Sequence, residues 1–157
     1  MYLTGFMGSG KSTVGRVLAQ SLQYEFVDLD AEIERKAGKT IAEIFSESEE
    51  EFRKLETVCL QSILKKDAVI ATGGGCFIHN QQWMLENGRV VYLHVPFEQL
   101  ATRIGADPNR PLWRNAETLY HEREAAYRSA HLTVDGTASP EAVAEEIISR
   151  KDAKSAK

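Results

Sequence analysis

Eight consecutive residues near the start of the chain, Gly5-Phe6-Met7-Gly8-Ser9-Gly10-Lys11-Ser12, match the pattern Gly-x-x-x-x-Gly-Lys-Ser/Thr. The chemistry that needs this order is phosphate binding. Glycines let the backbone fold round a phosphate chain with its N–H groups pointing inward, and the helix that follows adds its positive N-terminal dipole. Lys11 is placed to reach the β- and γ-phosphates as a point charge, and the Ser12 hydroxyl to ligate Mg²⁺. Gly8, Ser9, Gly10, Lys11, Ser12 and Thr13 are therefore the candidate nucleotide cradle, with Ser12 as the direct metal ligand.

A second group of chemically competent residues lies further along. Asp28-Leu29-Asp30 closes a short apolar run, and alternation along a strand lets both carboxylates face the same side. One could then serve the metal's water shell and the other an acceptor hydroxyl; an Asp at a strand end can equally cap the next helix, a reading that stays open for Asp30. Arg53 precedes Glu56 by three residues, Arg110 sits in a Pro-rich interruption, and Arg123 lies in a later helical stretch. Phosphoryl transfer passes through a loose transition state, so charge neutralisation and positioning matter most, and arginines supply both. Gly73-Gly74-Gly75 can bring backbone N–H groups against a ligand.

These residues need elements to hold them. Residues 1–4 read as a strand, and Val14, Val17, Leu18 and Leu22 share one face of the helix after the phosphate loop. Residues 26–29 read as a second strand, followed by a charged helix over 31–37 that Gly38 stops. A short helix over 41–45 precedes a longer one over 49–65 with Phe52, Leu55, Cys59 and Ile63 on its buried stripe. The apolar runs 68–71 and 90–93 are too short for helices and suit buried parallel strands. Residues 81–86, 97–104 and 116–129 read as helices, 131–135 as a last strand, and Ser139-Pro140 opens a final helix.

Strands alternating with helices imply an α/β fold with a five-stranded parallel sheet covered on both faces. We expect one domain over residues 1–150, with an acceptor-binding region at about 30–62, a lid at about 105–115 and a frayed tail at 151–157. At 157 residues, with 43% hydrophobic and 27% charged residues, the chain is of ordinary globular composition. The net charge of −4 argues against a nucleic-acid partner. No apolar run has the roughly 20 residues of a membrane-spanning helix and no export signal opens the sequence, so a cytoplasmic location is expected. Cys59 and Cys76 fit packing positions, and the four histidines have no zinc spacing. A guanine-nucleotide switch would need Asn-Lys-x-Asp, which does not occur; a nucleoside monophosphate kinase would carry Asp-Gly-Phe-Pro-Arg, whereas Asp135-Gly136 continues as Thr137-Ala138.

From Gly5 to about Ile148 the pattern resembles the shikimate kinase family. The matching strings are residues 5–13, Asp28-Leu29-Asp30, Phe52-Arg53-Lys54-Leu55-Glu56, Gly73-Gly74-Gly75, Arg110-Pro111-Leu112, and Glu122-Arg123 followed by Tyr127. The resemblance implies a three-layer P-loop kinase fold of strand order 2-3-1-4-5 and transfer of the ATP γ-phosphate to the 3-hydroxyl of shikimate, on the way to chorismate. It implies Lys11, Asp30 and Arg110 as catalytic residues, with Asp30 taking the proton and Arg110 swinging in on the lid. Arg53 and Arg123 would grip the shikimate carboxylate, Gly74 and Gly75 would line the acceptor, and Asp28 would orient the waters of Mg²⁺. Arg103 and Pro140 match positions that sandwich adenine in some members. Ser48-Glu49 replaces the usual Gly-Glu before Phe52-Arg53, and that stretch is one residue shorter, which bears on how Arg53 approaches the site. A gluconate-type kinase shares the loop and the size, and a non-catalytic paralogue shares the strings; neither is the expected reading. ATP, Mg²⁺ and shikimate are the expected ligands of a monomer with no nucleic-acid or membrane partner.

Overall fold

A computed structural model of the chain describes residues 1–104 and 115–155. Its strands are β1 (Tyr2–Thr4), β2 (Glu25–Asp28), β3 (Ala68–Ala71), β4 (Val90–His94) and β5 (Leu132–Asp135), all parallel, in the order β2-β3-β1-β4-β5. Around them lie α1 (Lys11–Leu22), α2 (Leu29–Ala37), α3 (Ile41–Glu47), α4 (Glu49–Ser62), α5 (Cys76–Asn87), α6 (Phe97–Ile104), α7 (Ala116–Tyr127) and α8 (Pro140–Ser155). The expected lid and Arg110 fall outside the described residues.

Why the sheet is covered on both faces follows from the strands themselves. Side chains alternate across a sheet, and here alternate residues enter two separate cores. Tyr2, Ile70, Val90 and Tyr92 join Phe6, Leu29, Ile33, Phe52, Phe77 and Tyr127 on one face. Leu3, Val69, Val91 and Leu93 meet Val14, Leu18, Val143 and Ile147 of α1 and α8 on the other. A strand apolar at every position is what a doubly covered sheet needs.

Register fixes what meets at the carboxyl edge. β1 pairs Leu3 with Ala71, and β2 pairs Asp28 with the same Ala71. Three loops therefore leave the sheet side by side: the phosphate loop after Thr4, the turn into α2 after Asp28, and the glycine triplet after Ala71. Open parallel sheets bind ligands at this edge.

Several boundaries differ from the sequence reading, each for a local reason. Leu29 starts a helix instead of ending a strand, because Asp28 accepts from the backbone N–H of Asp30 and Ala31 at 3.1 and 3.3 Å and so ends β2 as an N-cap. Asp30 consequently stands in the first turn of α2, not on a strand beside Asp28. α4 stops at Ser62, and its buried stripe is Phe52, Glu56, Cys59 and Leu60, with Leu55 40% exposed. A carboxylate occupies the buried place where an apolar residue was expected. α5 begins at Cys76, straight after the glycine triplet, and a break at Asn80 (φ −124°, ψ 22°) separates this first turn from the helical stretch read over 81–86. α7 ends at Tyr127 and β5 begins at Leu132.

Candidate active site

The phosphate loop closes into α1 through Gly10, whose φ of 88° is left-handed backbone that an L side chain rarely adopts. The Lys11 ammonium curls over the loop, donating to the carbonyls of Gly5 and Phe6, each at 2.9 Å, and to Ser9 Oγ at 3.4 Å. Ser9 itself is buried. On the first turn of α1 the Ser12 hydroxyl donates to Asp28 Oδ2 at 2.9 Å. Asp28 thus divides its carboxylate: one oxygen ends β2 and starts α2, the other reaches the phosphate loop.

Asp30 faces the opposite wall. Burial pushes its carboxyl above the ordinary Asp range, the neighbouring Asp28 charge adds to this, and Lys11 and Arg53 pull the other way. Its Oδ1 is buried without a hydrogen-bond partner among the described residues. A methyl group at Gly73 would stand 3.2 Å from that oxygen and 3.4 Å from Glu56 Oε2, so the two carboxylates converge on one glycine. Burial likewise raises the Glu56 carboxyl, against the pull of Arg53. Glu56 has no exposed side-chain surface, and its Oε1 accepts from Arg53 Nη1 at 2.9 Å.

Arg53 reaches the site despite the shorter stretch before it. Ser48 both ends α3 and caps α4, accepting from Glu51 N–H at 3.2 Å, so the two helices abut without a spacer. The Arg53 side chain is only 14% exposed, lies 5.0 Å from the Phe52 ring centroid, and rests against the triplet: a methyl at Gly75 would lie 2.5 Å from its Nη2. Arg123, from α7, comes to the neighbouring glycine, with its Nη1 3.4 Å from where a Gly74 methyl would be. The same point is 3.6 Å from Gly5 O and from Met7 N, which makes Gly74 the join between the phosphate loop and the arginines.

Tyr127 completes this wall. Its hydroxyl donates to the Gly74 carbonyl and lies beside the Arg123 guanidinium, and burial pushes its pKa up to about 12. Arg103 stands at the other end of the phosphate loop, donating to Gly8 O at 3.4 Å and to Gly136 O at 3.1 Å. Pro140, at the first position of α8, is half-buried nearby in the chain.

The fold therefore brings Lys11, Ser12, Asp28, Asp30, Arg53, Gly74, Gly75 and Arg123 to one edge of the sheet, with Arg103 at its rim. Two residues were missed as site members. Glu56 was visible at i+3 from Arg53, but only its burial makes it part of the wall. Tyr127 read as one residue of a string, whereas its hydroxyl holds the Gly74 backbone.

A phosphate loop at the carboxyl edge of a 2-3-1-4-5 parallel sheet, faced by a buried carboxylate and two arginines, defines a small P-loop phosphotransferase. The family model for shikimate kinase matches residues 7–151. A shikimate kinase of Bacillus cytotoxicus is 42% identical over 159 residues, covering 96% of this chain and 96% of its own length. Among solved structures, a shikimate kinase from Acinetobacter baumannii in complex with shikimate superposes with a TM-score of 0.92 at 40% identity, over 99% of this chain and 94% of that one. A gluconokinase from Sinorhizobium meliloti, at 16% identity and a TM-score of 0.61 over 94% and 88% of the two chains, shares the fold alone. The chain belongs to the shikimate kinase family.

Proposed function

We propose that the chain transfers the γ-phosphoryl group of ATP to the 3-hydroxyl of shikimate, giving shikimate 3-phosphate and ADP, in the route to chorismate and the aromatic amino acids. The observation that carries this reading is the wall opposite the phosphate loop, where Asp30 and Glu56 meet at Gly73 while Arg123 and Arg53 lie against Gly74 and Gly75. A small acceptor bearing one carboxylate and several hydroxyls matches that set. The two guanidinium groups take the carboxylate through planar, paired donors, and Asp30 takes a hydroxyl on the side facing Lys11. The solved relative from Acinetobacter baumannii with shikimate supports the choice of acceptor. A gluconate acceptor is less well matched, since its likeness rests on fold alone.

In this reading the acceptor oxygen attacks the γ-phosphorus, the bond from that phosphorus to the β–γ bridging oxygen breaks, and the hydroxyl proton passes to Asp30. Lys11 neutralises charge on the β- and γ-phosphates, and backbone N–H groups from Gly8 to Thr13 hold the phosphate chain. Arg103 and Pro140 flank adenine; the bonds from Arg103 to Gly8 and Gly136 support a place between the loop and the start of α8. Arg110, assigned from its Arg-Pro-Leu string, would add positive charge once both substrates are bound and water is excluded.

Mg²⁺ fits the residues present. Ser12 Oγ and Asp28 Oδ2 already converge at 2.9 Å beside the phosphate loop, two hard oxygen donors of the kind this ion takes. Ser12 would ligate it directly and Asp28 through water. When bound, the ion would neutralise charge on the β- and γ-phosphates. The chain is read as a cytoplasmic monomer acting on small molecules, with no nucleic-acid or membrane partner. Among the described residues no helix is long and apolar enough to cross a membrane.

Phosphorus NMR of the product tests the regiochemistry: coupling of the new phosphate to the proton on carbon 3 is expected, and coupling to another ring carbon's proton would refute the proposed acceptor geometry. Gly75→Ala offers a second check, since its methyl would collide with the Arg53 guanidinium. The flexible tip can yield, so the fold should survive, but losing one good contact should raise the shikimate KM about five- to ten-fold. An unchanged KM would detach Arg53 from the acceptor.

A further inference from the structure

α4 and α5 are joined by a polar clamp one helical turn from the acceptor wall. Thr57 Oγ1 donates to Asn80 Oδ1 at 2.8 Å, and Asn80 Nδ2 donates to the Cys76 carbonyl at 3.1 Å. Asn80 is only 6% exposed. The Cys76 carbonyl can only accept, so the amide nitrogen must point to it and the amide oxygen to Thr57. Asn80 is also where α5 leaves helical geometry. Its side chain thus ties off the first turn of α5, the turn that directly follows the glycine triplet, and its amide oxygen accepts from α4.

The position of Thr57 on α4 gives the clamp a consequence. Thr57 follows Glu56 directly and stands four residues after Arg53, one turn along the same face. Arg53 is the group that rests against Gly75, immediately before Cys76. The Thr57–Asn80–Cys76 bridge therefore spans the same two elements as the Arg53–Gly75 contact, and sets their spacing. On its outer side Gln61, His79, Gln81 and Gln82 line a cleft with Thr57 and Asn80; the buried residues of the two helices, Phe52, Cys59, Leu60, Phe77 and Met84, belong to one apolar core, and apolar contact alone is not directional.

We propose that Thr57 and Asn80 are positioning residues for the acceptor site, fixing α4 against the start of α5 so that Arg53 and the glycine triplet hold one geometry toward the bound carboxylate. The proposal rests on the reading of Arg53 as an acceptor-binding group. Among the described residues their hydrogen bonds stay within α4 and α5, whereas Lys11 and Ser12 are held by the phosphate loop and Asp28.

The test compares Thr57→Val, which keeps shape and removes the donor, with Thr57→Ser, which keeps the donor, and with Asn80→Ala. Steady-state kinetics on the full chain should show the shikimate KM raised about three- to ten-fold in Thr57→Val, the range of one neutral hydrogen bond, with the ATP KM within two-fold. Thr57→Ser should restore the wild-type value within about two-fold. Thr57→Val combined with Asn80→Ala should raise the shikimate KM no further than Asn80→Ala alone, because the pair acts through one bond. Equal losses for both substrates, no rescue by serine, or additive effects would each overturn the proposal. Should Asn80→Ala fail to fold, the valine and serine pair decides alone. A wild-type chain that turns over shikimate while Thr57→Val matches it refutes the clamp only; a wild-type chain inactive with shikimate refutes the clamp and the acceptor reading together.

Discussion

Asp30→Asn is expected to lower kcat about a hundred-fold while leaving the fold as stable as, or more stable than, the parent. A positioned base contributes roughly 10²- to 10⁴-fold, and the loose transition state of phosphoryl transfer asks for the lower end. The stability half follows from linkage. Burial, with the Asp28 charge next, raises the Asp30 carboxyl above its ordinary value of 3.8. A native group that holds its proton more tightly than the unfolded chain makes stability fall as pH rises between the two pKa values. The cost is absent below 3.8, grows as pH rises, and is complete above the raised native value. Asparagine removes it, and its amide would lie at Gly73 together with Glu56 Oε2, an oxygen buried without a hydrogen-bond partner among the described residues. Thermal melts at pH 7 and near pH 4, beside steady-state kinetics, check both halves. A variant that melts far below the parent at neutral pH, or one that keeps full turnover, would contradict the assignment.

Arg123→Ala should raise the shikimate KM about 10- to 100-fold, the worth of a charge-assisted bond to a carboxylate, and leave the ATP KM within a few-fold. The asymmetry comes from geometry. Arg123 Nη1 lies against Gly74 and beside the Tyr127 hydroxyl, which itself holds the Gly74 carbonyl. Removing the guanidinium leaves Tyr127 its bond to Gly74, so the glycine wall should stay in place. Equal losses in both substrates would show that Arg123 supports the whole edge instead of gripping one ligand.

What could be read from sequence and what could not divide along physical lines. The phosphate loop was legible because its function depends on contiguous residues and backbone geometry. The sheet was legible because doubly covered strands such as Ala68–Ala71 are apolar at every position. Asp28 and Asp30 were harder: both stand at the end of an apolar run, and only the bonds to Asp30 N–H and Ala31 N–H assign the cap to Asp28 and leave the Asp30 carboxylate out of it. Leu55 and Glu56 were exchanged for a related reason. Hydrophobicity placed Leu55 inside, but the arginine at position 53 needs a carboxylate under it, and Glu56 takes the buried place while Leu55 is 40% exposed. The Thr57–Asn80 bridge had no signature at all, because its two ends lie 23 residues apart on different helices.

The most direct test of the proposed activity is ADP release by the full chain with ATP and Mg²⁺, using shikimate, gluconate and nucleoside monophosphates in turn as acceptor. Saturable, shikimate-dependent ADP formation is expected, with little above background for the others. ADP formation with shikimate no greater than without any acceptor would contradict it.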